Sequence, residues 1–208
     1  MPSLARRTFL VAGMLAALGV SAQPATALQA TAERILHEVT GAEVRPYSTR
    51  DFGREKYPAG RSVRIAEEGS EDLLDKVRRK LPAGLVAWTG AGRDHSVENS
   101  TGVELAIAPG RDQFDILRAA ATDGANYSIQ TEDIVKELQA WDREFGIDIW
   151  MAETDTVQMT LKRLPKDVKA FAKHLYKFCP DVVDQGVGSV AELARTIAKD
   201  KAVYLWWD

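Results

Sequence analysis

Apolar residues recur every three or four positions in six segments of the chain, which is the spacing of an amphipathic helix. The clearest of these segments is 131–145, where the apolar positions share one face and Gly146 follows at the place of a C-cap. Ser70 and Ser189 each precede an acidic first turn, as N-cap residues do. The spacing therefore predicts helices at 28–40, 71–80, 112–121, 131–145, 165–178 and 190–199.

Alternating apolar and polar residues predict short strands between these helices. The strands fall at 62–66, 85–89, 103–108, 147–152, 156–162 and 202–207. Residues 152–155 suit the turn of an antiparallel hairpin. Segment 44–60 holds two prolines, two glycines and many charges, so we expect a long surface segment there.

Together these elements predict an α+β fold. We expect a mixed, mainly antiparallel sheet of about six strands, with helices mostly on one face and partly covering the other. Strand alternation places Trp150, Tyr204 and Trp206 opposite the main apolar stripe. Either the N-terminal half of the chain covers these rings, or they form an exposed aromatic patch that binds a partner.

The first 27 residues have the three parts of an export signal. Arg6 and Arg7 precede an apolar stretch at 11–20 that is too short to span a bilayer, and Ala25 and Ala27 suit a signal peptidase. The paired arginines favour the twin-arginine export machinery over general secretion, and the many small residues of the apolar stretch argue against a membrane anchor. We expect a periplasmic or secreted protein with no stable membrane span after cleavage.

Three parts of the chain follow from this pattern. They are the export signal at 1–27, an N-terminal part at 28–101 and a C-terminal domain at 102–208, the last two forming one continuous fold. The chain has 30 acidic and 27 basic residues and a formal net charge of −3, and none of the acidic residues lies in the signal. This acidic balance argues against nucleic acid or an anionic lipid surface as the partner.

Cys179 is the single cysteine, so we expect no disulfide within the chain. His174 lies five residues earlier, about 140° away around a helix, which prevents a direct thiolate–imidazole pair. Because Cys179 shares the apolar stripe of that helix, a buried structural thiol is favoured over a nucleophile.

The loop at 90–101 is chemically varied but matches no established motif. Because it follows a strand, its backbone amides and Arg93 are candidates for binding an anion, and His95 lies in the same loop. The loop lacks the third glycine of a dinucleotide fingerprint and the Gly-Lys ending of a phosphate loop. Phosphate binding is therefore the weaker interpretation of this loop.

Chain geometry predicts that several distant carboxylates meet at one end of the sheet. A strand rises about 3.3 Å per residue and a helix about 1.5 Å, so each strand–helix pair of the C-terminal half returns the chain to its starting level. Tyr127, the loop after the 165–178 helix and Asp208 should then be neighbours. We call the five carboxylates expected there the acidic end: Glu153, Asp155, Asp181, Asp184 and Asp208.

Several roles are open for the acidic end. Loop ends are often acidic for structural reasons alone. Candidates for a general acid and base are Glu153, Asp155, Asp181 and Asp184. Weak candidates for ligands of a divalent cation are Asp181, Asp184 and Asp208, although no cofactor is expected and their spacing differs from an EF-hand loop. Candidates for a binding surface are Asn126, Tyr127, Gln185, Trp206, Trp207 and Asp208.

The C-terminal half contains a series of short blocks that resemble one bacterial family. The blocks are Phe114-Asp115-Ile116-Leu117-Arg118, Asn126-Tyr127, Thr131-Glu132-Asp133, Gly146-Ile147-Asp148-Ile149, Glu153-Thr154-Asp155-Thr156, Phe178-Cys179-Pro180-Asp181-Val182-Val183-Asp184-Gln185-Gly186-Val187-Gly188-Ser189 and Leu205-Trp206-Trp207-Asp208. They resemble domain of unknown function 4253 over about residues 102–208, and the last two blocks are the most specific. The resemblance implies a domain boundary but no activity.

Two classes of function follow from these residues. The favoured one is a non-enzymatic binding protein of the cell envelope, which recognises an unknown protein or small-molecule ligand through the acidic end. The alternative is a carboxylate-dependent hydrolase, with or without a bound cation. Binding is preferred because no set of nucleophile, base and orienting residue can be assembled from the sequence.

Overall fold

The computed structural model describes residues 25–48, 56–90 and 102–208 of the chain. Its strands are β1 (Arg45–Ser48), β2 (Lys56–Ile65), β3 (Leu85–Gly90), β4 (Val103–Pro109), β5 (Ile147–Ala152), β6 (Thr156–Leu161) and β7 (Ala202–Trp206). They form one seven-stranded sheet in the order β1-β2-β4-β3-β5-β6-β7. All neighbouring strands are antiparallel except β3 and β5, which are parallel.

The helices of the described residues pack on both faces of this sheet. They are α1 (Ala25–Thr40), α2 (Ser70–Arg78), α3 (Asp115–Ala120), α4 (Thr131–Phe145), α5 (Val168–Phe178) and α6 (Val190–Asp200). A 3-10 turn at Ala125–Tyr127 and a π-helical turn at Val182–Val187 lie between them. The expected α+β class is confirmed, with one strand more than the sequence predicted.

Helix α4 has the bounds that its apolar spacing predicts. A reciprocal capping box between Gln130 and Asp133 begins it. Gly146 follows its last residue with a φ of 72°, and a Cβ at this position would lie 2.9 Å from the Lys162 side chain. The backbone conformation therefore favours a glycine here, and a larger residue would also press on the Lys162 side chain.

Three local predictions are wrong. Segment 44–60 is not a continuous surface segment, because β1 and the start of β2 lie within it, and Tyr47 is buried against Trp88. Ser70 is the first residue of α2 and makes no cap, since Gly69 holds the N-cap position. Helix α3 begins three residues later than expected, because the Asp112 carboxylate accepts a bond from the Phe114 N–H and forms a turn first.

Strand β4 separates two hydrophobic clusters. Leu105 and Ile107 face α1 and α2 on one side of the sheet, whereas Ala106 and Ala108 face the larger cluster that includes α3 and α4. Helices α5 and α6 extend that larger cluster over β6 and β7. The sheet is therefore covered by helices along all of one face, and over β2, β3 and β4 on the other.

The face of β5, β6 and β7 away from the larger cluster is only partly covered. Trp150 packs against the edge of the α1–α2 cluster, but Tyr204 is 44 % exposed. The N-terminal half therefore covers Trp150 in the internal strand β5, whereas Tyr204 in the edge strand β7 is exposed. No helix within the described ranges is long and apolar enough to cross a membrane.

Arg78 joins the two halves of the sheet. From the end of α2 its guanidinium donates to the Ala87 carbonyl of β3 at 3.1 Å, to both carboxylate oxygens of Asp148 at 3.1 Å, and to the Ile149 carbonyl of β5. The pairing of β3 with β5 is short, with Thr89 opposite Met151. A planar guanidinium with several fixed donors is suited to hold such a junction.

Candidate functional site

The expected convergence at the acidic end is observed for three distant segments. The Tyr127 hydroxyl donates to Asp181 Oδ1 at 2.7 Å, and the Asp208 backbone N–H donates to Asp181 Oδ2 at 3.0 Å. These residues come from the 3-10 turn before α4, the loop after α5 and the residues after β7. Because each strand and the helix that follows it have similar lengths, the chain returns to the same end of the sheet and brings Tyr127, Asp181 and Asp208 together, as predicted.

Asp181 is the centre of this arrangement. Its carboxylate is only 3 % exposed and accepts a third bond at Oδ1 from the Gln185 side-chain amide, at 3.0 Å. Burial by itself would raise the pKa of Asp181, but the bonds from Tyr127, Gln185 and Asp208 outweigh burial and hold that pKa below its ordinary value of 3.8. Asp181 is thus a buried, ionised carboxylate with donors on both oxygens.

Tyr127 connects the buried Asp181 carboxylate to the surface of the molecule. Its ring is 38 % exposed, and the hydrogen bond to Asp181, the largest cause, raises the pKa of its hydroxyl to about 12. The phenol therefore keeps its proton at neutral pH and remains a donor to the carboxylate. Asn126, its neighbour in the 3-10 turn, is exposed.

The π-helical turn presents the other polar groups of the site. Asp184 and Gln185 lie in it and are exposed, and the Tyr176 hydroxyl donates to Asp184 Oδ1 at 3.0 Å. This bond is the largest cause of the raised pKa of Tyr176. A π-helical turn adds a residue to the helical repeat, and such turns are often found at functional sites.

Trp207 requires a correction, because it is a core residue and not a surface contact. It is 2 % exposed, its indole N–H donates to the Phe178 carbonyl at 3.2 Å, and its ring lies against Gly124. A Cβ at Gly124 would lie 3.0 Å from the Trp207 ring. Trp206, on the opposite side of the strand, is half-buried and stays accessible.

Cys179 is a buried thiol, as expected. Its sulfur donates to the Trp206 carbonyl at 3.0 Å and accepts from the Trp206 N–H at 3.3 Å. Burial, the largest cause, raises the pKa of the thiol to about 12, so it is protonated at neutral pH. His174 bonds instead to the Glu137 carboxylate, at 2.5 Å.

Glu153 and Asp155 lie in the hairpin turn between β5 and β6. The Glu153 carbonyl accepts from the Thr122 hydroxyl at 2.6 Å, and the Asp155 carbonyl accepts from the Trp207 N–H at 3.1 Å. Their carboxylates influence Tyr204, whose pKa is raised first by burial and then by these charges. We call Glu153 and Asp155 the hairpin group; its contact to Trp207 places it next to the residue that precedes Asp208.

The weak metal candidates gain no support from the geometry. Asp181 meets Asp208 through the backbone N–H of Asp208, at 3.0 Å. Within the described ranges, no three His, Cys, Asp or Glu side chains lie close enough together to hold a metal ion.

A second buried carboxylate was not singled out by sequence reasoning. Glu104 of β4 is 3 % exposed, accepts from the Ser62 hydroxyl, and pairs with Arg45 Nη2 at 3.2 Å. Burial, the largest cause, raises its pKa despite these two donors. The signal in the sequence was a lone glutamate within an apolar strand. Beside it on the same face, the Trp88 indole N–H has no hydrogen-bond partner among the residues that the structure describes, and the ring meets Tyr47 edge-on at 5.0 Å.

Two parts of the sequence prediction lie outside the described residues. They are the export signal at 1–27, of which only the last three residues are described, as the start of α1, and the anion-binding interpretation of Arg93 and His95 in the loop at 90–101, of which only Gly90 is described.

Comparison with known proteins identifies the family. The model of the family described as Domain of unknown function (DUF4253) matches residues 104–208, which is 105 of the 208 residues. The chain belongs to this family, as the C-terminal blocks indicated. No curated protein and no solved structure matches the chain. The family segment begins at Glu104 in β4, which lies between β2 and β3, so both parts of the chain share one sheet.

Proposed function

We propose that this chain is an exported binding protein of the cell envelope, and that it recognises a protein or small-molecule partner through the acidic end. The observation that carries the proposal is the group around Asp181, where a buried carboxylate fixes Tyr127 and Gln185 at the surface. Exposed aromatic and polar side chains held in fixed positions lose little entropy on binding. Asp184 and Asp208 supply negative charge beside them.

The same group argues against the hydrolase alternative. A general acid at neutral pH needs a raised pKa, whereas the donors around Asp181 lower it. Asp155 accepts a bond from the neighbouring Thr156 hydroxyl at 2.8 Å and lies in the hairpin group.

Site-specific photo-crosslinking of the full chain in its own cells tests the binding surface. A photoreactive phenylalanine replaces Tyr127, and a matched variant carries it at Lys199, an exposed position on α6. We expect a discrete adduct at position 127 that weakens in the Gln185→Ala background. Identical adducts at both positions, or no adduct at position 127, would contradict the proposal.

A thermal-shift screen separates a protein partner from a small ligand. The probes are divalent cations and small envelope metabolites, and Asp184→Asn is the control. Stabilisation that disappears in the control indicates a small ligand at the acidic end. A shift of equal size in both proteins places the ligand elsewhere and argues against this surface.

Cell fractionation tests the export part of the proposal. The paired arginines of the leader are the feature that favours the twin-arginine route. Replacing both Arg6 and Arg7 by lysine should retain the full chain in the cytoplasm if this route is used. Unchanged export of the double variant would favour general secretion, and no export of the unaltered chain would overturn the localisation.

A further inference from the structure

Helices α5 and α6 form a groove on the outer surface of the molecule. Its floor is apolar, with Val168 at the start of α5 and Val190, Ala191 and Ala194 along α6. Two lysines of α5, Lys169 and Lys173, stand at its rim. We call this feature the α5–α6 groove.

The groove is long and shallow. Its volume is about 670 Å³, and its α6 wall runs from Val190 to Ala198. At about 1.5 Å per residue, this wall is roughly 12 Å long. The small alanines keep the floor recessed, while the long lysine side chains rise above it. The dimensions suit two to three turns of a helix, which would pack against α5 and α6 as in a helical bundle.

The charge at the rim differs in sign from that of the whole chain. The chain has a formal net charge of −3, yet residues 162–177 contain six lysines and arginines and one acidic residue, Asp167. Within the described part of the chain, neither Lys169 nor Lys173 forms an ion pair. Arg195, on the opposite rim, pairs with Glu192 of its own helix.

We propose that the α5–α6 groove binds an amphipathic helix of a partner protein, with an apolar stripe flanked by acidic side chains. The apolar stripe fills the floor, and the acidic side chains pair with Lys169 and Lys173. A membrane surface fits less well, because a membrane-bound helix needs protruding large apolar side chains. This docking surface is independent of the acidic end.

Fluorescence anisotropy with a synthetic helical peptide tests the proposal on the full chain. The probe is a labelled peptide of about 15 residues with leucines on one face and glutamates beside them, and its control carries lysine in place of each glutamate. We expect the acidic peptide to bind and the basic one to fail. Failure of the acidic peptide, or equal binding of both, would overturn the proposal.

Charge-reversal variants locate the contact. Lys169→Glu with Lys173→Glu should weaken binding of the acidic peptide by about tenfold or more. The matched control, Lys166→Glu with Lys177→Glu, changes the net charge equally but leaves the groove rim intact. An equal loss in both double variants would show only a net-charge effect and would overturn the docking site.

A groove-filling variant tests the floor without a change of charge. Ala191 is exposed on α6, so Ala191→Phe should fold normally and occupy the space needed by the apolar stripe. Binding should be lost while the thermal midpoint stays near that of the unaltered chain. Unchanged binding would contradict the groove as the site. Binding to anionic phospholipid vesicles but not to the peptide would instead assign the lysines to a membrane surface.

Discussion

Two buried carboxylates within the described ranges are held in opposite ways: Glu104 lies in β4, and Asp181 lies after α5, beside the residues that follow β7. Asp181 and Glu104 are equally inaccessible, each 3 % exposed. Asp181 accepts three hydrogen bonds, and its pKa is lowered. Glu104 accepts from Ser62 and Arg45, and its pKa is raised.

The difference reflects both the donors around each carboxylate and its depth, because Glu104 lies deep within the sheet whereas Asp181 lies close to the surface, beneath Tyr127. Both carboxylates lose contact with water, which disfavours their charged form. Around Asp181, the Tyr127 and Gln185 side chains and a backbone N–H are enough to reverse that effect. Around Glu104, the hydroxyl and the half-exposed guanidinium are not enough. Asp181 therefore holds Tyr127 and Gln185 in place at the surface, whereas the ionised form of Glu104 is disfavoured within the sheet.

Replacing Asp181 by alanine should have the largest effect on stability. The substitution leaves several donors without their charged acceptor, at a cost of about 2–4 kcal/mol in the free energy of unfolding. Chemical denaturation measures the loss. Asp184→Ala is the matched control, because it removes an equal charge from an exposed position with one bond to Tyr176. Similar losses in both variants would contradict the central role of Asp181.

Replacing Glu104 by glutamine should change stability in the opposite direction. The amide retains an oxygen acceptor for Ser62 and avoids the burial of a charge, so we expect a gain of about 1 kcal/mol at pH 7. Urea denaturation beside the unaltered chain measures it. A loss of several kcal/mol would show that the Arg45 pair is worth more than the desolvation of the charge.

The pH dependence of stability should separate the two groups. The raised pKa of Glu104 favours the folded state below the ordinary value of 4.5, and this contribution is lost as the pH rises through the raised value. The lowered pKa of Asp181 favours the folded state above 3.8, and this contribution is lost as the pH falls through the lowered value. Glu104→Gln should therefore flatten the stability profile above about pH 5, whereas Asp181→Asn should flatten it only in acid. If Glu104→Gln changed the stability profile only in acid and Asp181→Asn changed it only at higher pH, the opposite pKa shifts assigned to the two carboxylates would be wrong.

Removing the hydroxyl of Tyr127 should have the smallest effect on stability. Tyr127→Phe deletes one of the three donors to Asp181 but keeps the exposed ring. We expect the pKa of Asp181 to rise towards its ordinary value, with a smaller loss of stability than in Asp181→Ala. A carboxyl titration of this variant by NMR provides the measurement. An unchanged pKa would mean that Gln185 and the Asp208 N–H hold the carboxylate without the phenol.

Much of the C-terminal half could be predicted from sequence because its patterns are local. Helix α4 and the hairpin of β5 and β6 follow from apolar spacing and the turn between them. The meeting of Tyr127, Asp181 and Asp208 followed from the lengths of successive elements. In contrast, the π-helical turn at Val182–Val187 has no distinct sequence pattern, so its presence could not be expected.

The N-terminal half was harder to predict, because its edge strands carry residues typical of loops. Pro46 lies in β1, at the edge of the sheet, and Pro58 lies in the first part of β2. Proline is tolerated at such positions because its missing N–H need not pair with another strand. The burial of Glu104 depended on which strands became its neighbours, and the order β2-β4-β3 gives its strand a partner on each side.

The pKa of Asp181 in the folded chain is the measurement that tests this account most directly. Carbon-labelled aspartate, with the resonance assigned by Asp181→Asn, allows the carboxyl to be titrated by NMR. The account predicts a value below 3.8, as for a carboxylate that holds Tyr127 and Gln185 in a binding surface. A value raised towards neutrality would contradict the account and favour a catalytic acid at this end of the sheet.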